Sequence, residues 1–224
     1  MSGQLRTIYL FLYNSVQAIG WAVSLWRISI SFASKKSVNG AYASAGELIC
    51  FLQSLAFLEV LHGALGIVPS GVLLPLMQWG GRIHFLLALV RSINEVQELP
   101  AVFITFLAWS LSEVIRYSHY ALNCISTPPY WVTFIRYTAF IVLYPIGIAP
   151  GEMWLMYQAL PVIKEKKLYT DRLPFSYYNF VVDISRYVKL HHFHFHLPQC
   201  RKGSHLRWGK GGRMCCFSCI HFYG

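Results

Sequence analysis

The sequence predicts an all-α protein, a polytopic bundle of transmembrane helices. Apolar residues make up 55% of its 224 residues and charged residues only 12%, whereas a typical soluble domain is about 25% charged. The mean hydropathy is +0.44. Five apolar stretches reach the roughly 20 residues that a helix needs to cross a bilayer. This composition cannot cover a water-facing surface, and its hydrophobicity also excludes a disordered chain.

The first three predicted spans are residues 8–32, 45–68 and 72–90. Charged residues bracket the first span, which is too long to be the apolar core of a signal peptide. A Pro-Ser-Gly turn at residues 69–71 separates the second span from the third, and Arg91 closes the third.

The fourth and fifth predicted spans are residues 101–122 and 132–160. Pro100 precedes the fourth span, at a helix start where a missing backbone N–H costs no helical hydrogen bond. The fifth span is overlong and is interrupted by Pro145 and Pro150. A proline inside a helix disrupts the hydrogen-bond ladder near the preceding turn, so this span is predicted to be broken at membrane depth.

The chain changes character after residue 178. Residues 184–224 hold seven Lys or Arg and no acid, yet no recognition module accompanies this charge, so nucleic-acid binding is not predicted. Cys216 and Cys219 lack the second pair that a structural zinc site needs, so no metal is predicted. We therefore predict a transmembrane domain over residues 1–178 and a disordered, basic tail with His and Cys over residues 179–224.

Ionisable side chains inside the spans suggest a functional interior, because lipid makes such groups costly and they normally face other helices. One interpretation is simple pairing along a helix face, as for Glu59 with His62 or Glu113 with Arg116. Ten polar residues lie within the spans, and this number favours a polar cavity inside the bundle. The ten residues are Glu59, His62, Arg82, His84, Glu113, Arg116, His119, Arg136, Tyr144 and Glu152.

The break in the fifth span is flanked by Tyr144 and Glu152. Broken helix at membrane depth is tolerated where it is buried or lines a cavity. On an unbroken helix, these residues would be separated by about 80° around the axis and about 12 Å along it. A phenol and a carboxyl suit proton transfer if the break brings them together. The alternative is a transmembrane hinge with two incidental polar residues.

Several polar motifs follow one another along the apolar spans. They are Leu58-Glu59-Val60-Leu61-His62-Gly63, Glu113-Val114-Ile115-Arg116-Tyr117, Ile135-Arg136-Tyr137-Thr138, Leu143-Tyr144-Pro145-Ile146-Gly147 and Gly151-Glu152-Met153. In this order they resemble the 3-hydroxyacyl-CoA dehydratase family, the protein tyrosine phosphatase-like proteins, and particularly its plant PASTICCINO-type members. The resemblance covers residues 1–178.

The resemblance implies an enzyme of the endoplasmic reticulum membrane that acts in very-long-chain fatty acid elongation. A (3R)-3-hydroxyacyl-CoA would lose water to form the trans-2-enoyl-CoA. Its expected partners are membrane lipid and the other elongase subunits, namely the condensing enzyme, the ketoacyl reductase and the enoyl reductase. The family also has a sixth span, which the charged residues after residue 178 are expected to disrupt, with impaired activity as the consequence.

The resemblance also implies the roles of four residues. Tyr144 and Glu152 match the family's catalytic pair, and Arg136 and Arg82 match arginines that support the site. No cofactor is implied. In the family the pair is seven residues apart, whereas here it is eight, so a local bulge is expected. Glu152 is the expected base and Tyr144 the expected acid, although the reverse assignment stays open.

Two other functions have some basis in the sequence. Residues 62–71 align with the tyrosine-phosphatase signature, but Gly63 and Pro69 stand where that chemistry needs a thiolate and a guanidinium, so phosphatase activity is excluded. The remaining alternative is a non-catalytic membrane scaffold or a phosphotyrosine-binding pseudo-phosphatase in the elongase complex.

Overall fold

The computed structural model describes residues 3–69, 71–171 and 173–195, and these residues contain helices and no strand. Two segments within these described ranges are π-helical, with i→i+5 hydrogen bonds, and we call them π1 and π2. In chain order the elements are α1 (Gly3–Lys35), α2 (Ala41–Leu55), α3 (Phe57–Ala64), α4 (Leu73–Ile83), π1 (His84–Val90), α5 (Asn94–Gln97), α6 (Pro100–Ile125), α7 (Tyr130–Ile146), π2 (Gly147–Met153), α8 (Trp154–Glu165) and α9 (Tyr177–Phe195).

Four continuous helices in the described part of the chain are long and apolar enough to cross a membrane, and they match the first, second, third and fifth predicted spans. They are Gly3–Lys35, Ala41–Ala64, Leu73–Val90 and Tyr130–Glu165. The fourth predicted span does form a helix, α6, which is not among these four. It carries Glu113 and Arg116 and is packed among other helices, where ionisable side chains can find partners.

The helix α6 is the centre of the bundle. It packs along α1 and also contacts α2, α7, π2 and α8. Val102 and Phe106 of α6 and Ile28 of α1 are fully buried in the shared core. Between helices in a membrane, where lipid is as apolar as these side chains, such burial stabilises the bundle through close van der Waals packing. The core therefore fixes α6 at its apolar half, and the polar half of the helix is available to build a site.

The segment π2 interrupts the long helix that runs from Tyr130 to Glu165. Pro150 lies inside it and lacks a backbone N–H, which favours a departure from the α-helical ladder. Gly151 faces α6 so closely that a Cβ atom there would lie 2.4 Å from Oγ1 of Thr105. A π turn inside an α-helix accommodates one extra residue. This is the local bulge that the eight-residue interval between Tyr144 and Glu152 predicted.

The helix α9 continues past residue 178, where the sequence analysis placed the start of a disordered tail. Tyr177 and Val181 are buried, and α9 packs against α8 and π2. Asp183 and Arg186, the charges that were expected to disrupt a sixth helix, lie on its exposed side. The structure thus replaces the first part of the predicted tail, residues 179–195, by a helix, while residues 196–224 lie outside the described residues.

Candidate active site

A cavity of about 410 Å³ lies between α4, α6, α7 and π2. It is lined by all four residues to which the family resemblance assigned roles, namely Arg82, Arg136, Tyr144 and Glu152. Residues that are far apart in sequence are therefore brought to one place. The other lining residues are Leu74, Met77, Gln78, Gly81, Trp109, Ser112, Glu113, Ile115, Arg116, Ala139, Phe140, Leu143, Gly147 and Ile148.

Tyr144 and Glu152 face this cavity from the two sides of the helix break. Tyr144 lies near the end of α7, with 39% of its surface exposed, and its ring packs against Phe140 at a centroid distance of 4.9 Å. Glu152 lies in π2, and its Oε1 accepts a hydrogen bond of 2.9 Å from Nε1 of Trp109. The extra residue within π2 keeps the phenol and the carboxyl on the same side of the interrupted helix.

Arg82 reaches the cavity from the last turn of α4. Its guanidinium lies 4.7 Å above the centre of the Trp109 ring, which is a cation–π contact, and it donates a hydrogen bond to Glu113. The ring of Trp109 thus contacts Arg82 while its N–H binds Glu152. These contacts place a positive charge beside the carboxyl.

Arg136 lies in the middle of α7 and is 9% exposed. Its guanidinium is 5.9 Å from the centre of the Tyr120 ring. Because Arg136 is two turns before Tyr144 on the same helix, both side chains can face one bound molecule. A guanidinium in a water-poor cavity can stabilise negative charge that develops on a substrate oxygen.

A network of charged groups adjoins the cavity, and two of its members, Glu113 and Arg116, line the cavity themselves. Arg116 donates to Glu113 at 2.6 Å and to Glu59 at 2.9 Å and 3.3 Å. Glu59 also accepts from Tyr13 at 3.3 Å and from Tyr117. Removing one member of a buried ion pair typically costs 3–5 kcal/mol, since it leaves an uncompensated charge. Together with Arg82, these groups balance two carboxylates against two guanidiniums.

Of the two pairs that the sequence suggested along a helix face, only one forms. Glu113 and Arg116 do pair along α6, three residues apart. Glu59 instead binds residues of α1 and α6, and His62 is hydrogen-bonded to the hydroxyl of Tyr9 at 2.8 Å. Both interpretations of the sequence are therefore present in one structure, pairing within a helix and a polar cavity between helices.

The sequence analysis missed the part played by Trp109. A tryptophan in an apolar span is ordinary, and its link to Glu152 depends on the rotation of α6 against π2. A weak signal was available, because Trp109 is one turn before Glu113 on α6 and a buried indole N–H normally has a partner. Groups of three or more His, Cys, Asp or Glu that could hold a metal ion are absent from the described residues.

The cavity offers groups for one type of chemistry in particular. A phenol and a carboxyl can exchange protons with a bound molecule, and two arginines can stabilise an anionic intermediate. The apolar side chains of Leu74, Met77 and Leu143 line the same cavity. Such a lining suits a substrate with a polar reactive centre and an alkyl chain.

The chain is similar in sequence to a known protein family and to several named proteins. Residues 53–200 match the family model described as "Protein tyrosine phosphatase-like protein, PTPLA". The "Very-long-chain (3R)-3-hydroxyacyl-CoA dehydratase 2" of Homo sapiens is 39% identical over 184 residues, which are 80% of this chain and 72% of that protein. The "Very-long-chain (3R)-3-hydroxyacyl-CoA dehydratase 1" of Ovis aries is 35% identical over 208 residues, 89% of this chain and 72% of that protein.

A plant relative is also found. The "Very-long-chain (3R)-3-hydroxyacyl-CoA dehydratase PASTICCINO 2B" of Oryza sativa subsp. japonica is 35% identical over 181 residues, 80% of each chain. The relatives of the chain thus include plant PASTICCINO proteins as well as mammalian dehydratases. The family match also reaches beyond residue 178, where the sequence analysis ended the resemblance. No solved structure matches the chain.

Proposed function

Because the chain belongs to the family of protein tyrosine phosphatase-like proteins, PTPLA, we propose that it is a very-long-chain (3R)-3-hydroxyacyl-CoA dehydratase. The observation that carries this proposal is the meeting of Tyr144 and Glu152 in one cavity, despite an interval of eight residues. A scaffold or a pseudo-phosphatase would need no such pair, and the relatives' names do not favour either.

In the proposed reaction, the carboxylate of Glu152 removes the proton from C2 of the 3-hydroxyacyl thioester. The electron pair forms the C2–C3 double bond as the C3–O bond breaks, and the phenol of Tyr144 protonates the departing hydroxyl to give water. The proton on Glu152 then returns to the tyrosinate, so that both groups are restored. Two groups with different acidities can share these roles.

The arginines are proposed to act through charge. Loss of the C2 proton places negative charge on the thioester oxygen, and a fixed cation nearby lowers the energy of that state. Arg136 lies on the same helix as Tyr144, and Arg82 lies beside Glu152 through Trp109. We assign Arg136 to the thioester oxygen and Arg82 to holding the carboxyl in its reactive orientation.

We further propose that α6 crosses the membrane as a fifth span inside the bundle. A helix surrounded by other helices can retain ionisable residues that a lipid-facing helix cannot. The relatives' names place the substrate in very-long-chain fatty acid metabolism. We therefore propose the endoplasmic reticulum membrane as the location, and the condensing enzyme, the ketoacyl reductase and the enoyl reductase of elongation as partners.

The proposal is tested with the purified full chain in lipid nanodiscs. A (3R)-3-hydroxyacyl-CoA with a very long acyl chain should be converted to the trans-2-enoyl-CoA, observed by mass spectrometry as the loss of one water. The (3S) isomer is the matched control and should be left unchanged. The absence of enoyl product from the (3R) substrate, with the protein shown to be folded, would contradict the proposed activity.

A further inference from the structure

A second cavity, of about 400 Å³, lies at the end of the bundle where α1 begins and α6 ends. The loop between α3 and α4 closes one of its sides. None of the four residues assigned to the reaction lines this cavity. Glu59 and Arg116 of the charge network do line it. Its lining includes Asn14 of α1, Val68 of the loop after α3, and Tyr120, Asn123 and Cys124 of α6.

The second cavity is lined by both polar and apolar groups. Amides are supplied by Asn14 and Asn123, and a phenol by Tyr120, while Leu10 and Val68 are apolar. Asn123 is exposed, so it marks the mouth of the cavity, and Asn14 is buried further along α1. The side-chain amide of Asn14 donates to the carbonyl oxygen of Leu10 at 2.7 Å, and that of Asn123 is exposed, so neither requires a ligand. The lining still offers amide and phenol groups beside apolar ones, which fits a chain that itself carries amides and hydroxyls between short apolar groups.

The segment that aligned with the phosphatase signature builds one wall of this cavity. Gly63 approaches the loop so closely that a Cβ atom there would lie 2.1 Å from the carbonyl oxygen of Gly71. The backbone N–H of Ile67 also donates to the carbonyl oxygen of His62 at 2.8 Å. These contacts fold the loop back on α3 and turn Val68 toward the cavity. The segment thus has a structural role that requires neither a thiolate nor a phosphate.

The second cavity adjoins the first. Leu74, Gln78 and Arg116 line both, so the two cavities meet at these three side chains. A very-long-chain acyl-CoA has its reactive carbons between two long arms, the alkyl chain on one side and the pantetheine arm with its nucleotide on the other. A cavity of about 410 Å³ cannot enclose both arms. The substrate must therefore extend from the first cavity in two directions.

We propose that the second cavity binds the pantetheine arm of the acyl-CoA substrate, with the nucleotide leaving past Asn123 into water. The inference rests on the proposed dehydratase function. The two amides and the hydroxyl of pantetheine match the amide and phenol groups of the lining, and its methylene groups match the leucine, valine and proline side chains. The alkyl chain takes a separate direction, along side chains that line only the first cavity, such as Leu143 and Ile148.

The free thiol of Cys124, which lines the second cavity, allows a binding test that needs no turnover. The full chain in nanodiscs is treated with N-ethylmaleimide, and modification of Cys124 is followed by peptide mass spectrometry. The probes are octadecyl-CoA thioether, which has no 3-hydroxyl group and cannot react, and the octadecyl thioether of N-acetylcysteamine. The second probe has the same alkyl chain but lacks the rest of the pantetheine arm and the nucleotide.

At about ten times its Kd, the CoA thioether should slow the modification of Cys124 about tenfold, because only free protein then reacts. The N-acetylcysteamine thioether should leave the rate unchanged. Equal protection of Cys124 by both probes would mean that the alkyl chain occupies the second cavity. Protection by neither probe would mean that no part of the ligand binds there. Either result overturns the proposal, and neither depends on whether the chain dehydrates its substrate.

A substitution at the mouth provides an independent measurement. Asn123→Trp should weaken binding of the CoA thioether about tenfold or more and leave binding of the N-acetylcysteamine thioether within about twofold. Leu122→Trp is the matched control, because Leu122 is exposed one residue earlier on α6 and does not line the cavity. An unchanged affinity of Asn123→Trp for the CoA thioether would also overturn the proposal.

Discussion

Trp109 connects two of the groups that the proposed reaction needs. Its N–H donates to Oε1 of Glu152 at 2.9 Å, and its ring lies 4.7 Å from the guanidinium of Arg82. Since Trp109 is 4% exposed, these contacts are shielded from water. A hydrogen bond to a charged group contributes about 1.5–3 kcal/mol, so loss of this bond should free the carboxyl to rotate out of its reactive position.

Trp109→Phe should lower kcat about tenfold or more and change KM little, because the phenyl ring keeps an aromatic face for Arg82 but loses the donor to Glu152. Steady-state kinetics with a (3R)-3-hydroxyacyl-CoA measure both constants. Trp131→Phe is the matched control, since Trp131 is 64% exposed on the outside of α7. A kcat of Trp109→Phe equal to that of the unaltered chain would show that the indole N–H has no positioning role.

At the scale of elements, π2 determines whether Tyr144 and Glu152 face the same cavity. One residue of an α-helix corresponds to a rotation of about 100°, so an uncompensated eighth residue would turn the carboxyl away from the phenol. The π turn takes up that residue. Gly151 allows π2 to approach Thr105 of α6, where a larger side chain would force the two helices apart.

Deletion of Pro150 should therefore retain activity within about tenfold, because a plain α-helix with a seven-residue interval again puts both groups on one face. Insertion of one alanine after Pro150 should abolish activity, since a ninth residue rotates the carboxyl by about 100°. Dehydration rates of the two variants are compared after circular dichroism has shown equal helix content. Loss of activity on deletion, with activity kept on insertion, would contradict the role given to π2.

The sequence predicted most of the elements because long apolar stretches are a local property. It missed α9 because Asp183 and Arg186 lower the average hydropathy, although Tyr177, Val181 and Ile184 form an i, i+4, i+7 stripe on the packed side. For the site, ionisable residues in apolar spans provided ten candidates, and the resemblance to the 3-hydroxyacyl-CoA dehydratase family selected Arg82, Arg136, Tyr144 and Glu152 among them. The sequence could not give their mutual geometry, which depends on the rotation of helices about their axes.

At the scale of the whole molecule, apolar side chains cover much of the outside of the bundle. Within α1, Trp26 is 66% exposed whereas Trp21 is 1% exposed. An exposed tryptophan in the middle of an apolar helix indicates contact with lipid, since water would make such a surface unfavourable. The two residues are five positions apart in one helix and therefore report on its two sides.

Contact between the outer face of α1 and lipid can be tested with lipids brominated on their acyl chains, which quench tryptophan fluorescence on contact. Trp26→Phe should reduce the quenchable part of the fluorescence, whereas Trp21→Phe should leave that part unchanged. The measurement compares both variants with the unaltered chain in the same vesicles. Equal effects of the two substitutions would mean that the outer face of α1 is not in contact with lipid.

The chemical claim is most directly tested by single-turnover dehydration of a (3R)-3-hydroxyacyl-CoA by Tyr144→Phe and Glu152→Gln in nanodiscs. Both substitutions keep the shape of the side chain and remove the group that transfers a proton, so each should slow the formation of enoyl-CoA at least about 100-fold. Tyr137→Phe, on the exposed side of α7, should keep the full rate. Normal rates for both Tyr144→Phe and Glu152→Gln would contradict the assignment of this pair.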